Sequence, residues 1–337
     1  MRTNVLLHCF HVGYHSRVMP PQLLSPFLIA LAAMLWGSDL LLRPNALSAG
    51  WSPAWVVLGE HLVLSILFLP VLWRERQRLA KLGKTQWGAL LFVAWGGSAV
   101  ATWLYTKAFT LDFSQALTVV LLQKTQPIVA ILLAGLLLGE RRRPTFWVWA
   151  LAAFAGAYLL IPFQKPPSLA DIHAKQALLA LGAAALWGAA TVAGRSLTSA
   201  LTPGGLAGAR FALAVPILLG LTLVPTGTAF APTHSVHYAA LFLLLIVLLP
   251  DLAGMVLYYF GLRGTSASVA TLAELCYPLT ALAIGIFVQH TPVTSEQWLG
   301  LALLVLAVVG LGQKPGVTVP RLPTSAIGVR AGIVEES

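Results

Sequence analysis

The sequence predicts an all-α polytopic membrane protein: ten transmembrane helices arranged as two inverted five-helix repeats. Three observations carry this prediction. Of 337 residues, 58% are hydrophobic and only 9% charged, against about 25% charged in an ordinary soluble domain. Ten apolar runs, each near the ~20 residues needed to cross a bilayer, fill most of the chain. Finally, several residues recur at a constant offset of 151.

The runs lie near 23–42, 55–73, 87–109, 114–138, 145–162, 176–194, 204–224, 237–260, 266–288 and 296–312. The loops between them are too short to fold separately. Continuous stretches such as LLFVAW and ALFLLLIVLL exclude the alternating ~10-residue segments of a membrane β-barrel. Soluble enzymes, nucleic-acid modules and disulfide scaffolds are excluded by the same composition. Cys9 and Cys276 form no framework.

The net charge of +10 reads as a topology signal once it is located. Arg74, Arg76, Arg78, Lys81 and Lys84 follow span two, and Arg141, Arg142 and Arg143 follow span four. With the terminal and remaining same-side residues, one side collects fifteen of the 21 basic residues. Arg43, Lys165 and Lys175 are all that the opposite loops hold. Positive charge accumulates in cytoplasmic loops, so both termini are expected inside. Residues 1–22 form an N-terminal extension without the clean apolar core of a signal peptide. Met19, just before Pro20-Pro21, is as good a translation start as Met1. The stretch 313–337, rich in Pro, Gly, Thr and Val, is expected to be a disordered cytoplasmic tail.

The repeat is the next feature. AAMLWG, ending at Trp36-Gly37, recurs as AAALWG, ending at Trp187-Gly188. The same offset relates Ala116 to Ala267, Pro127 to Pro278 and Trp147 to Trp298. Each copy holds five spans, at 23–162 and 176–312, with 163–175 as an external linker. An odd number of spans makes the second copy enter from the opposite side, the inverted construction of many alternating-access transporters.

Two ALWG runs, the segment from Ala116 through Pro127 to Gly139-Glu140 with basic residues after it, and Arg210 in span seven together resemble the drug/metabolite transporter superfamily. The likeness is to its ten-helix form with two EamA-like domains, and it covers roughly residues 23–312. It implies export of a small metabolite such as an amino acid across a bacterial inner membrane. The chain departs from the pattern twice. Glu60-His61 stand in span two where an arginine is expected, and Gly139-Glu140 map onto His290-Thr291.

A charge at a helix centre costs ~2.5–3.5 kcal/mol on insertion scales, and such charges usually face a bundle interior or a wet cavity. Lys124, Asp251 and Glu274 fall near mid-depth, with Arg210 toward the cytoplasmic half. Pro127 and Pro278 cannot donate to the carbonyls of Gln123 and Glu274, which are equivalent positions. Interrupted helices at matching places point to the solute site in inverted-repeat transporters. The expected substrate-binding residues are therefore Gln123, Lys124, Glu274, Arg210, Asp251, Trp36, Trp187 and Tyr277, with Pro127 and Pro278 as kinks. Two plain structural readings stand beside this one: Lys124 with Glu274, and Arg210 with Asp251, as ion pairs that only fix packing. Asp39, Glu60 and His61 are read either as a gate or proton-coupling site or as a water-exposed helix end.

No motif supports catalysis. HExxH, GxSxG and Walker A sequences are missing, no cofactor or metal is called for, and the eight histidines are scattered. A membrane enzyme would need a clustered nucleophile or metal set, and a passive channel would favour rings of like residues. The expected partners are a small-molecule solute and the lipid bilayer, with no nucleic acid. Monomer and homodimer are equally compatible with the sequence.

Overall fold

The computed structural model describes residues 21–111, 116–160, 174–223, 233–287, 290, 292–313 and 316–318. The N-terminal extension, most of the 163–175 linker and most of the tail lie outside them. The described chain runs through α1 (Leu23–Leu47), α2 (Pro53–Ala80), α3 (Lys84–Leu111), α4 (Val119–Leu138), α5 (Pro144–Leu160), α6 (Ala174–Leu197), α7 (Pro203–Thr222), α8 (Val236–Arg263), α9 (Ala267–Ile284) and α10 (Ser295–Gln313). Among the described residues nine of these are long and apolar enough to cross a membrane, and α5 is a shorter apolar helix of 17 residues. The chain is an all-α polytopic membrane protein.

Apolar composition favours spanning, and polar caps decide where spans begin. Ser52, Thr202, Ser235 and Ser266 each precede a helix and accept a backbone N–H from its first turn, satisfying a donor the helix leaves open. Pro53 and Pro203 follow two of these caps at the first helical position, where no N–H is needed. Leu136, Leu137, Leu178 and Leu223 are among the most exposed side chains, as expected where lipid is the solvent. Lipid gives helices no hydrophobic reason to associate, so close backbone approach at small residues supplies it. Gly208 of α7 packs on Phe68 of α2, and Gly156 of α5 faces the backbone of Gly300 on α10.

Helices α3, α4, α8 and α9 are irregular inside the bundle. The α3 and α8 segments Val93–Val100 and Val247–Gly254 are wound as π-helix. Helix α4 breaks at Lys124-Thr125 before Gln126 restarts it, and α9 narrows to a 3-10 turn at Glu274–Cys276 before Pro278. The carbonyl expected to be free at Glu274 is not. The tight turn gives it the Tyr277 N–H at 3.2 Å.

Two expectations at the ends are corrected. Span one does not stop at 42: α1 turns at Ser38 and continues to Leu47, drawing Arg43 out of the expected external loop and burying it. Within the tail, Val317-Thr318 (β2) pair antiparallel with Arg141-Arg142 (β1). The Arg143 N–H also donates to the Gly316 carbonyl at 2.7 Å. Backbone hydrogen bonds, which composition does not report, order these three residues.

Candidate functional site

Among the described residues a cavity lies between the two helix breaks, lined by side chains of both repeats. Its aromatic wall is repeated. Trp36 on α1 meets Tyr258 on α8 with ring centroids 5.1 Å apart, and Trp187 on α6 meets Tyr105 on α3, also at 5.1 Å. The Trp36 indole N–H donates to the Pro250 carbonyl at 3.0 Å. Tyr105 and Tyr277 share a hydroxyl hydrogen bond of 3.1 Å.

Each tryptophan is followed by a glycine that lets its helix touch a break. A Cβ on Gly37 would stand 2.7 Å from the Tyr277 carbonyl and 2.6 Å from the Thr280 Cβ. A Cβ on Gly188 would stand 2.7 Å from the Gln126 carbonyl and 3.0 Å from the Val129 Cβ. Gly37 and Gly188, Gln126 and Tyr277, and Val129 and Thr280 are each 151 residues apart. The packing that seats the Trp-Gly pair therefore obeys the sequence repeat contact by contact. The Thr280 hydroxyl adds a hydrogen bond to the Met34 carbonyl on the α1 side.

The breaks carry the polar lining. The Gln123 side-chain amide donates to Gln126 Oε1 at 2.6 Å, and the Gln126 amide donates to Glu274 Oε2 at 2.5 Å. This chain of three joins the two repeats. Lys124 lies with its ammonium 3.8 Å from the Tyr277 ring centroid. The ion pairs among the described residues are Arg43–Asp39, Arg43–Glu60 and Arg78–Glu75, so Lys124 and Glu274 share the cavity without pairing.

The Arg210–Asp251 pair is likewise not formed. The Arg210 guanidinium donates to Ser98 Oγ, Met255 Sδ and Tyr259 Oη, each at 3.1 Å, and to the Gly97 carbonyl at 3.4 Å. These partners are neutral. Asp251 lines the same cavity with its Oδ2 buried and without a hydrogen-bond partner among the described residues.

The expected outer-end group is not water-exposed. Glu60 and His61 are buried, because α2 turns them toward α1 and α3. Arg43 donates to Asp39 Oδ2 at 2.8 Å, to Glu60 Oε1 at 2.8 Å and to Thr106 Oγ1 at 3.1 Å. Asp39, Arg43 and His61 line the cavity, and Glu60 stands behind them. His61 Nδ1 donates to the Val57 carbonyl at 2.8 Å, and Nε2 shares a hydrogen bond of 3.1 Å with the Ser98 hydroxyl. Sequence reasoning missed Arg43, although Asp39 four residues earlier on a helix was a usable signal. It also missed Tyr105 and Tyr258 as wall residues, and nothing in their spacing marks them out.

The chain matches the EamA-like transporter family twice, over residues 23–161 and 174–313. It is 30% identical to the riboflavin transporter ImpX of Fusobacterium nucleatum, over 85% of this chain and 96% of that protein. It is 31% identical to a riboflavin transporter of Rhizobium johnstonii, over 81% and 82%. An uncharacterized transporter of Bacillus subtilis, YwfM, is 29% identical over 56% of this chain and 62% of its own length. A solved crystal structure superposes with a TM-score of 0.66 at 19% identity, covering 86% of this chain and 98% of that one. That likeness is one of fold.

Proposed function

The chain belongs to the EamA-like transporter family, and from that membership we propose that it is a secondary transporter of a flat, uncharged heteroaromatic solute of the riboflavin kind. One observation carries this reading: the cavity between the helix breaks is walled by two Trp–Tyr pairs and edged with amide, hydroxyl and carboxyl groups. A planar ring system gains most from aromatic faces, and a polyhydroxyl chain suits the polar edge. Two relatives that match most of the chain are named riboflavin transporters, which supports the same class.

Movement follows by alternating access through two inverted units, 23–162 and 176–312. The repeat-related contacts of Gly37 and Gly188 support a pseudo-two-fold through the cavity. In this reading α5 is the tenth span, since 17 residues lie at the short limit for crossing. The membrane is the bacterial cytoplasmic membrane and both termini lie inside. Single cysteines at Lys84 and Lys165 test the orientation: an impermeant thiol reagent added from outside should label position 165 and spare 84.

A second reading has its own support. Lys124 and Glu274 offer a cation and an anion in one cavity, which suits a zwitterion such as an amino acid, exported from the cell. Solute counterflow into proteoliposomes separates the two. Labelled riboflavin should exchange, and excess unlabelled flavin should compete while an amino-acid mixture does not. Competition by amino acids, lost in Lys124→Met, would favour the second reading. Recovery of a chemically altered solute would contradict both.

A further inference from the structure

Four carboxyl groups and three permanent or ready cations belong to the cavity and the cluster behind it. Asp39, Glu60, Asp251 and Glu274 face Arg43, Lys124 and Arg210. Fully ionised, the set carries a net charge of −1, and an uncompensated charge away from water is costly. One bound proton makes it neutral.

The geometry says where that proton sits. Arg43 divides its bonds between Asp39 and Glu60, so both carboxylates keep a cation. The Glu274 Oε2 accepts from Gln126. Asp251 has none of this: it makes no hydrogen bond among the described residues, and its Oδ2 is buried. Its neighbours in charge are Glu60 on α2, Asp39 and Arg43 on α1, and Arg210 on α7, the last already held by neutral groups. His61 on α2 is taken up by the Val57 carbonyl and Ser98, and the α8 hydroxyls of Tyr258 and Tyr259 bond to Thr191 and Arg210. The segment that carries Asp251 is the π-helical turn after Pro250, whose carbonyl is taken by Trp36. Solute that reorients the Trp36 ring therefore acts directly on the backbone next to Asp251.

We propose that Asp251 binds one coupling proton, which travels with the solute in the same direction. The step is simple acid–base chemistry: an aqueous proton adds to the carboxylate on one side and leaves to water on the other. An uncharged solute that displaces water from the cavity makes an ionised Asp251 more costly, so solute and proton favour each other's binding. Linkage makes that preference reciprocal. A metal cation fits less well, because among the described residues no three acidic, His or Cys side chains converge to hold one. This inference rests on the solute-transport reading above for its direction of flow, and not for the proton site itself.

Infrared difference spectroscopy of the purified wild-type protein, between mildly acidic and alkaline buffer, tests the site without any solute. A buried carboxylic-acid carbonyl band should appear in acid, vanish in Asp251→Asn, and return displaced in Asp251→Glu. Survival of the same band in a folded Asp251→Asn protein overturns the proposal. Riboflavin then tests coupling. In weakly buffered alkaline detergent solution, where Asp251 starts ionised, its binding, read by flavin fluorescence, should draw about one proton per solute from the medium. In proteoliposomes an inward proton gradient should drive at least tenfold accumulation, and a sodium gradient none. Binding without proton uptake, or accumulation on sodium alone, overturns the coupling. If riboflavin does not bind at all, the solute reading fails while the infrared result still decides the proton site.

Discussion

The two halves of the molecule share a scaffold and differ in where they keep charge. Counted from the cap prolines Pro53 and Pro203, Glu60 and Arg210 occupy the same place, seven residues into α2 and α7. In the first half the position is an anion, matched by the buried Arg43 from the neighbouring helix. In the second it is a cation, cradled by a hydroxyl, a phenol, a thioether and a carbonyl. The partners differ to suit: Asp39 and Arg43 on α1 fall 151 residues before Ala190 and Gly194 on α6. Duplication thus preserved the Trp-Gly seats and the helix breaks, which set shape, and left the charges free to diverge. Shape is symmetric here and electrostatics is not.

Breaking the charged half should have the largest effect. Arg43→Met leaves the buried Glu60 and the half-buried Asp39 without a cation, and a broken buried pair costs about 3–5 kcal/mol. Denaturation in detergent should show that loss, and adding Glu60→Gln should recover much of it. The matching change in the other half, Arg210→Met, breaks no ion pair among the described residues, strands the neutral groups bonded to it and should cost about 1–3 kcal/mol. Equal losses in the two variants would erase the electrostatic contrast.

The symmetric half of the comparison predicts equality instead. Gly37→Val and Gly188→Val each push a side chain into the backbone at a break, at about 1–3 kcal/mol of overpacking. Melting temperatures should fall together, and a large disparity would mean that the two seats are not equivalent. Gln126→Leu removes the donor to Glu274 and should cost about 1–3 kcal/mol, with solute affinity falling too. Trp36→Phe is the smallest change, losing one hydrogen bond to the Pro250 carbonyl for about 0.5–1.5 kcal/mol.

Much of this was legible in the sequence, and the reasons are physical. Spans are visible because lipid tolerates few charges. The breaks are visible because proline cannot donate, and their pairing because Trp36, Pro127 and their counterparts keep one offset. Gln123, Lys124, Glu274, Arg210, Asp251, Tyr277 and both tryptophans do line one cavity. Partner choice was not legible. Arg43 sits near the end of an apolar run, where charge ordinarily meets water, and only the continuation of α1 to Leu47 buries it. Arg210 and Asp251 have opposite charges at compatible depth, yet depth does not specify the face of a helix. The wall tyrosines Tyr105 and Tyr258 look like any aromatic in a span until the fold sets each against a tryptophan.

The central claim is that the cavity between the two breaks is the solute site, with Trp36 and Trp187 as its stacking faces. Titrating purified protein with riboflavin and following flavin fluorescence tests it most directly. Quenching should saturate at one site per chain in the wild type. Trp36→Leu and Trp187→Leu should each weaken binding at least tenfold, since stacking on an aromatic face is worth about 1–3 kcal/mol. Two folded variants that both bind riboflavin with wild-type affinity would contradict the account.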